Sequence, residues 1–223
     1  MKKDLYIYCC GGAGREMSDR ISEIQNSTNK KQWNNVYFID DIITEKEFYG
    51  LKVFSYEEFK KIVEKDKSEI IIANGEPMNR KILFEKIKKD GFNLATIISN
   101  SAYVSPYAII GEGVVISEFC TVASCVRIKD NAFLNYNCVI GHDCEIGENS
   151  CLSERVSLGG NVSIGNNCYL AIGASVINKA KIEDWSIVAM NSAVIRDVPN
   201  GKVVGGVPAK IIKDNDSRKV FKK

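Results

Sequence analysis

The chain has 223 residues, of which 45% are hydrophobic and 26% are charged, a composition typical of globular proteins. Its 30 basic and 28 acidic side chains leave a formal charge of +2, which argues against nucleic acid or an anionic membrane as the main partner. The first apolar run, over residues 5–10, is much shorter than a signal sequence or a membrane span. We therefore expect a cytoplasmic protein.

Eight cysteines and one histidine, His142, are the unusual counts in this composition. A single histidine excludes any site that needs two or three imidazoles, such as the three-histidine zinc site of a carbonic anhydrase. The cysteines show no Cys-x-x-Cys pair and are too few for a secreted disulfide scaffold. We therefore expect no metal site.

The first hundred residues alternate between apolar runs typical of strands and amphipathic stretches typical of helices. Strands are predicted at residues 5–10, 36–39, 69–73 and 94–98, and helices at residues 15–25, 55–67 and 78–89, the second helix beginning with a capping box. This alternation predicts a parallel sheet that binds ligands at the carboxyl ends of its strands.

Two motifs follow the first two predicted strands. Gly11, Gly12 and Gly14 form a turn whose main-chain N–H groups are suited to hold a phosphate. Asp40 and Asp41 end the second strand, where they are placed to hydrogen-bond a nucleoside. A tight turn without a ligand would look the same, so nucleotide binding stays open at this point. A redox dinucleotide enzyme is disfavoured because the segment is about half the length of a full dinucleotide fold.

The second half of the chain contains a six-residue repeat. An aliphatic residue returns at every sixth position: Val104, Ile110, Ile116, Val122, Ile128, Leu134, Ile140, Ile146, Leu152, Leu158, Ile164, Leu170, Val176, Ile182, Val188 and Val194. A small or β-branched residue stands two positions before most of them, and glycine often follows, where tight corners would favour it. This period predicts a parallel β-helix with the aliphatic residues inside. Four cysteines occupy the small inward position and are predicted to be packing residues: Cys120, Cys138, Cys144 and Cys168.

The motifs together resemble one family. The glycine turn is followed by Arg15-Glu16, the second strand reads Phe-Ile-Asp-Asp at 38–41, residues 135–147 read Asn-Tyr-Asn-Cys-Val-Ile-Gly-His-Asp-Cys-Glu-Ile-Gly, and residues 205–210 read Gly-Gly-Val-Pro-Ala-Lys. Over residues 3–212 the chain is similar to the bacterial sugar acetyltransferases that include sialic acid O-acetyltransferases and UDP-4-amino-sugar N-acetyltransferases.

The resemblance implies a fold and an assembly. The expected domains are a Rossmann-like nucleotide-sugar-binding domain at 1–100, a left-handed β-helix of hexapeptide repeats at 101–212, and a polar tail at 213–223. Three hexads would close each 18-residue coil, so Cys120 and Cys138 would stack on adjacent coils, with their oxidation state open. Three subunits would pack side by side, with each active site between two of them.

The resemblance also implies an activity. The expected enzyme is an acetyl-CoA-dependent N- or O-acetyltransferase that acts on a nucleotide-linked sugar for surface polysaccharide biosynthesis. His142 would be the general base, Asp143 would raise its basicity, and coenzyme A would contact the main chain at Ile172 and Met190. The repeat supports the role of His142, because this residue lies two positions after Ile140 and thus outside both inward positions. One coil later stands Gly160, which would leave space beside the ring.

Departures from the family pattern concern the acceptor. Ala13 stands where the family turn has a histidine, Cys151 where a second family histidine lies near the acceptor, and Glu154 and Arg155 where small residues are usual. The alternatives are therefore a free sugar such as sialic acid, a longer acyl chain, or a non-catalytic nucleotide-sugar-binding homologue. The sugar, its nucleotide and the choice between nitrogen and oxygen are open.

Overall fold

The computed structural model describes residues 2–27 and 32–221. Two compact units divide the chain: Met1–Gly75 with Ile82–Ile97, and Glu76–Lys81 with Ile98–Lys223. Each unit has its own hydrophobic core. The functional division of the chain at residues 100 and 212 stays a prediction.

The first unit is built on a five-stranded sheet. Its strands are β1 (Asp4–Tyr8), β2 (Val36–Ile39), β3 (Glu47–Phe48), β4 (Leu51–Phe54) and β5 (Ser68–Ile72), and the helices are α1 (Gly12–Ser27), α2 (Tyr56–Ile62) and α3 (Pro77–Lys89), with a 3₁₀ turn at Lys65–Lys67. The strand order is β3-β4-β2-β1-β5, and only the β3–β4 pair is antiparallel. The predicted Rossmann-like α/β class is confirmed.

Strand β1 ends at Tyr8, two residues before the predicted end of the first strand. Cys9 has a φ of 87°, which is incompatible with a strand and rare for any residue but glycine. Helix α1 then begins at Gly12, three residues earlier than predicted. The glycine turn is thus partly the first turn of a helix.

The predicted capping box of the second helix is confirmed. The Ser55 side chain accepts a hydrogen bond from Glu58 N, and the Glu58 carboxylate accepts one from Ser55 N. The helix is shorter than predicted because the backbone at Val63 is extended. Residues 65–67, which the prediction included in this helix, form the separate 3₁₀ turn.

Two strands of this unit escaped sequence analysis. Strands β3 and β4 form a short hairpin around Tyr49 and Gly50, whose φ values of 52° and 73° correspond to a type I′ turn. Strand β3 has only two residues, and Lys52 interrupts the apolar run of the four-residue strand β4. Conversely, the strand predicted at residues 94–98 is not part of this five-stranded sheet: Leu94 makes only an isolated bridge with Ile70, and the short strand Ile97–Ile98 belongs to a sheet of the β-helix.

The second unit is a parallel β-helix, which confirms the hexapeptide prediction. Sixteen two-residue strands each end on a predicted aliphatic residue: β7 (Tyr103–Val104), β8 (Ile109–Ile110), β9 (Val115–Ile116), β10 (Thr121–Val122), β11 (Arg127–Ile128), β12 (Phe133–Leu134), β13 (Val139–Ile140), β14 (Glu145–Ile146), β15 (Cys151–Leu152), β16 (Ser157–Leu158), β17 (Ser163–Ile164), β18 (Tyr169–Leu170), β19 (Ser175–Val176), β20 (Lys181–Ile182), β21 (Ile187–Val188) and β22 (Ala193–Val194). Strand β6 (Ile97–Ile98) precedes them, and β23 (Lys202–Gly205) and β24 (Lys210–Asp214) follow.

Three sheets form the faces of this left-handed helix. The first face is β22-β19-β16-β13-β10-β7, the second is β20-β17-β14-β11-β8, and the third is β24-β23-β21-β18-β15-β12-β9-β6. Paired residues such as Val122 and Ile140 are 18 positions apart, so each coil contains three hexads. We name each corner by the faces that it joins: 1–2, 2–3 and 3–1.

The glycines that follow the aliphatic positions were expected because of the tight corners, but the structure gives a different reason for them. Within the β-helix, the non-glycine residues with positive φ lie three positions after the aliphatic residues, and six of these twelve are asparagine, which tolerates this conformation. Gly141 and Gly147 do not have positive φ. A Cβ on either glycine would lie 2.7 Å or less from the backbone of the next coil. Close approach between coils, rather than turn conformation, therefore requires these glycines.

The inward cysteines are packing residues, as predicted. Cys120, Cys138, Cys144 and Cys168 are buried in the β-helix core and are free thiols. Each thiol donates to a main-chain carbonyl 15 residues later, at distances of 3.0–3.1 Å. The hydrogen bond with the Cys120 thiol, followed by burial, raises the pKa of Cys138.

The carboxyl-terminal segment returns to the β-helix. Strand β24 pairs with β23 at the end of the third face. The Arg218 guanidinium lies 4.9 Å from the ring centroid of Trp185. The main-chain N–H groups of Val220 and Phe221 donate to the buried Glu76 carboxylate at 2.9 Å.

Candidate active site

His142 projects from the 1–2 corner of the β-helix, and its side chain is 63% exposed. Its Nδ1 lies 2.7 Å from Asp143 Oδ2. The main chain of this pair is fixed by the neighbouring coils, because Asp143 N donates to Ser124 O and Asn161 N donates to His142 O. When a neutral imidazole donates from Nδ1 to the carboxylate, Nε2 is the nitrogen that can accept a proton.

Ile172 and Met190 lie at a different corner, 3–1, where both side chains are exposed. They occupy the same position on successive coils, and Asn191 N donates to Ile172 O at 2.8 Å. The structure therefore places the two residues predicted to contact coenzyme A in one column. A single β-helix does not bring this column together with His142, because the first face separates their corners.

Cys151 lies in β15 on the third face and is only 2% exposed. Burial raises the pKa of its thiol to about 12, so the thiol is neutral near pH 7. Its Sγ lies 3.8 Å from Asn149 O. In a single chain the thiol is enclosed by protein, and its predicted contact with an acceptor stays a prediction.

Glu154, at the 3–1 corner, belongs to a polar network. Its carboxylate accepts hydrogen bonds from Asn135 Nδ2 at 2.9 Å and from Ser153 Oγ at 2.8 Å. Ser153 Oγ also lies 3.3 Å from Tyr169 Oη. These partners of Glu154 were not predicted from the sequence. The 18-residue coil contains a usable signal, because it places Asn135 directly beside Ser153.

The glycine turn of the first unit has two parts. A Cβ on Gly14 would lie 2.2 Å from Cys9 O, so close packing of α1 against the end of β1 requires this glycine. A Cβ on Gly11 or Gly12 would meet no atom within 4 Å, and both residues are exposed to solvent. Open N–H groups at the start of a 16-residue helix can bind an anion.

Asp40 is bonded to the main chain around it. Its carboxylate accepts from Cys10 N at 2.8 Å, Ile42 N at 2.9 Å and Ile43 N at 3.1 Å. Burial and then the charge of Asp40 raise the pKa of the Cys10 thiol to about 12. Asp40 thus ties the end of β1 to the loop after β2.

Asp41 joins three elements of the first unit. Its carboxylate accepts from Tyr8 Oη at 2.6 Å, Tyr56 N at 2.8 Å and Lys86 Nζ at 3.0 Å. Burial opposes its ionisation, but these hydrogen bonds outweigh burial and lower the pKa of Asp41. The Lys86 ammonium also lies 4.1 Å from the ring centroid of Tyr56. No sequence motif pointed to Lys86, which is 45 residues away from Asp41.

Metal sites and membrane spans are absent from residues 2–27 and 32–221. That part of the chain contains no group of three or more histidine, cysteine, aspartate or glutamate side chains able to hold a metal ion. No helix there is both long and apolar enough to cross a bilayer. A cavity of about 270 Å³ is lined by residues that include Ile109, Arg127 and Lys129, and its lining contains none of the predicted site residues.

Comparison with known families gives two matches. Residues 4–87 match the PglD N-terminal domain, and residues 125–160 match the bacterial transferase hexapeptide family of six repeats. A curated relative, 2,3,4,5-tetrahydropyridine-2,6-dicarboxylate N-acetyltransferase from Clostridium perfringens, is 45% identical over 49 residues. That match spans 22% of this chain and 21% of the relative.

Solved structures match nearly the whole chain. A histidine variant of perosamine N-acetyltransferase from Caulobacter crescentus, in complex with CoA and GDP-perosamine, is 28% identical with a TM-score of 0.87 over 95% of this chain and 97% of that one. The acetyltransferase domain of PglB from Neisseria gonorrhoeae is 24% identical with a TM-score of 0.88, over 95% of this chain and 100% of that one. The second likeness concerns the fold alone.

Proposed function

We propose that this chain, which belongs to the hexapeptide-repeat sugar acetyltransferases, transfers an acetyl group from acetyl-CoA to the amino or hydroxyl group of a nucleotide-linked sugar. The product would serve surface polysaccharide biosynthesis. The observation that carries the proposal is the exposed imidazole of His142, whose Nδ1 is hydrogen-bonded to Asp143. We also place the enzyme in the cytoplasm, where acetyl-CoA is available.

The proposed reaction is a direct transfer. The acceptor nitrogen or oxygen attacks the thioester carbonyl of acetyl-CoA, while Nε2 of His142 takes the proton that the acceptor loses. The C–S bond of the tetrahedral intermediate then breaks, and the coenzyme A sulfur leaves and receives that proton. Because the thioester is already activated, the enzyme needs no covalent nucleophile and no metal in this scheme. Its tasks are to position the acceptor and to remove its proton.

The side chain of Asp143 would orient the imidazole. A carboxylate at Nδ1 favours the tautomer with a free Nε2 lone pair and stabilises the imidazolium that forms during attack. Main-chain N–H groups of a neighbouring coil would stabilise the oxyanion. The proton would therefore leave the acceptor without any further titrating side chain.

The first unit would bind the nucleotide. The open main chain at Gly11 and Gly12 and the start of α1 suit a diphosphate, with Gly14 allowing the close packing that shapes the turn. Asp40 and Asp41 would contact the nucleoside. A carboxylate has about four acceptor positions, and each aspartate shows three hydrogen bonds, which leaves room for one further donor.

The complete site would need two chains. His142 and the column of Ile172 and Met190 lie at different corners of one β-helix. In a trimer with threefold symmetry, the 1–2 corner of one subunit can face the 3–1 corner of its neighbour. Coenzyme A would then lie along the column of one subunit with its acetyl group near the other subunit's imidazole.

The experiment is a turnover assay with acetyl-CoA and UDP-, dTDP-, GDP- and CMP-linked amino and hydroxy sugars, with free sialic acid included. Release of the coenzyme A thiol is followed spectroscopically, and the product is identified by mass. We expect one nucleotide-linked sugar to be acetylated much faster than the rest. Acetylation of free sialic acid alone would instead establish the free-sugar alternative.

Two further outcomes would overturn parts of the proposal. Binding of nucleotide sugars without turnover of any of them would favour a non-catalytic binding protein. Sedimentation should show a trimer, and a fully active monomer would refute the two-chain site.

A further inference from the structure

Gly160 occupies the position on the 1–2 corner that lies one coil after His142. Ser124, His142, Gly160 and Asn178 stand 18 residues apart and form one column along this corner. Three of the four carry a side chain, and Gly160 does not have positive φ. The backbone of the corner therefore does not require glycine at position 160.

The histidine ring does require it. A Cβ on Gly160 would lie 2.6 Å from Nε2, 2.7 Å from Cε1 and 3.2 Å from Cδ2 of His142, which are the three nearest atoms. By contrast, a Cβ on Gly141 or Gly147 would meet main-chain atoms of the next coil. The missing side chain of Gly160 thus creates the space that the imidazole occupies.

Two contacts then fix the position of the His142 imidazole ring. Asp143 holds Nδ1 at one side by a 2.7 Å hydrogen bond, and the bare backbone of Gly160 lies against the side that carries Nε2 and Cε1. We propose that Gly160 is a positioning residue, which lets the imidazole lie on the next coil with Nε2 at a defined place. This inference rests on the proposed function, in which Nε2 takes the acceptor proton.

An added methyl group should move the ring but leave the fold intact. A distance of 2.6 Å is too short for a carbon and a nitrogen that are not bonded to each other, so either the new methyl group or the imidazole must shift. His142 is mostly exposed at the end of a rotatable side chain, and it can move more easily than the β-helix backbone. Misplacement of a catalytic group by about 1 Å can reduce the rate about 100-fold.

The test compares Gly160→Ala with Asn178→Ala. Both variants carry alanine at equivalent positions of the same exposed corner, but only the first adds an atom beside the ring. We expect Gly160→Ala to lower kcat about 10- to 100-fold with KM for acetyl-CoA nearly unchanged. Asn178→Ala should keep the wild-type kcat.

Nuclear magnetic resonance provides a readout independent of activity. Because the chain has one histidine, all imidazole ¹⁵N and ¹H signals of the protein belong to His142. Gly160→Ala should shift these signals, whereas Asn178→Ala should leave them unchanged. Wild-type ring signals in Gly160→Ala would overturn the proposed contact.

A double-mutant cycle separates this contact from general damage to the corner. Any fall in Tm caused by Gly160→Ala should disappear in the His142→Ala background, where no ring is present. An equal fall in both backgrounds would refute the steric argument. Shifted ring signals with wild-type kcat would refute the positioning role, and an active His142→Ala variant would refute the base itself while leaving the contact measurable.

Discussion

Carboxylates in the two units of this chain have opposite surroundings. In the α/β unit, Asp40 and Asp41 each accept three hydrogen bonds from the protein. In the β-helix, Asp143 is half exposed and contacts an exposed imidazole. The sequence position of an aspartate, at the end of a strand or next to a histidine, therefore does not show whether its carboxylate holds the structure together or takes part in the reaction.

The strongest test of this comparison is His142→Ala. We expect kcat to fall about 100- to 10,000-fold, the usual contribution of a general base. The free energy of unfolding should change by less than about 0.5 kcal/mol because the side chain is exposed. Steady-state kinetics and urea unfolding measure the two effects, and an unimpaired kcat would contradict the assignment.

Asp40→Ala, unlike His142→Ala, should lower the stability of the protein. Loss of the acceptor of three main-chain N–H groups should lower the free energy of unfolding by about 1–3 kcal/mol. Asp143→Asn is the control, because asparagine tolerates the φ of 58° at this position and the loss of an exposed charged partner costs at most about 1 kcal/mol. Equal losses in urea unfolding would remove the distinction between the two aspartates.

Asp41→Asn should change how stability depends on pH. Since hydrogen bonds lower the pKa of Asp41 in the folded state, its carboxylate stabilises the protein fully above the unfolded pKa of about 4. That stabilisation is lost as the pH falls through the lower, folded-state pKa. Urea unfolding between pH 7 and pH 3 should show a difference between wild type and Asp41→Asn that shrinks with falling pH. A difference in the free energy of unfolding that stays constant over this pH range would contradict the conclusion that the ionised carboxylate of Asp41 stabilises the fold.

Thiol labelling gives the smallest and most local test. Cys125 is the exposed cysteine and Cys9 is intermediate, while the other six are buried. A thiol reagent should therefore label Cys125 fast, Cys9 more slowly and the remaining thiols only on unfolding. Cys125→Ser should remove the fast phase without changing Tm, and fast labelling of a core cysteine would indicate a loosely packed β-helix.

The sequence predicted local features well where the interacting residues are close together in the chain. The capping box at Ser55 and Glu58 was found, because both partners lie within four residues. The hairpin at Tyr49–Gly50 was missed, because β3 has only two residues and Lys52 interrupts the apolar run of β4. The partners of Asp41 were missed as well, because Tyr8, Tyr56 and Lys86 come from a strand, a helix start and another helix.

The amino-acid pattern alone was enough to predict the β-helix, its 16 inward aliphatic positions and the outward place of His142. The physical reason is that a six-residue period repeats one local environment, so each residue's direction follows from its position in the hexad. The folded structure was needed to show that Asp40 and Asp41 are bonded internally and that Cys151 is buried, and it gave the distances by which the imidazole requires glycine at position 160. Those properties depend on atoms from different elements or coils, whose proximity no local pattern encodes.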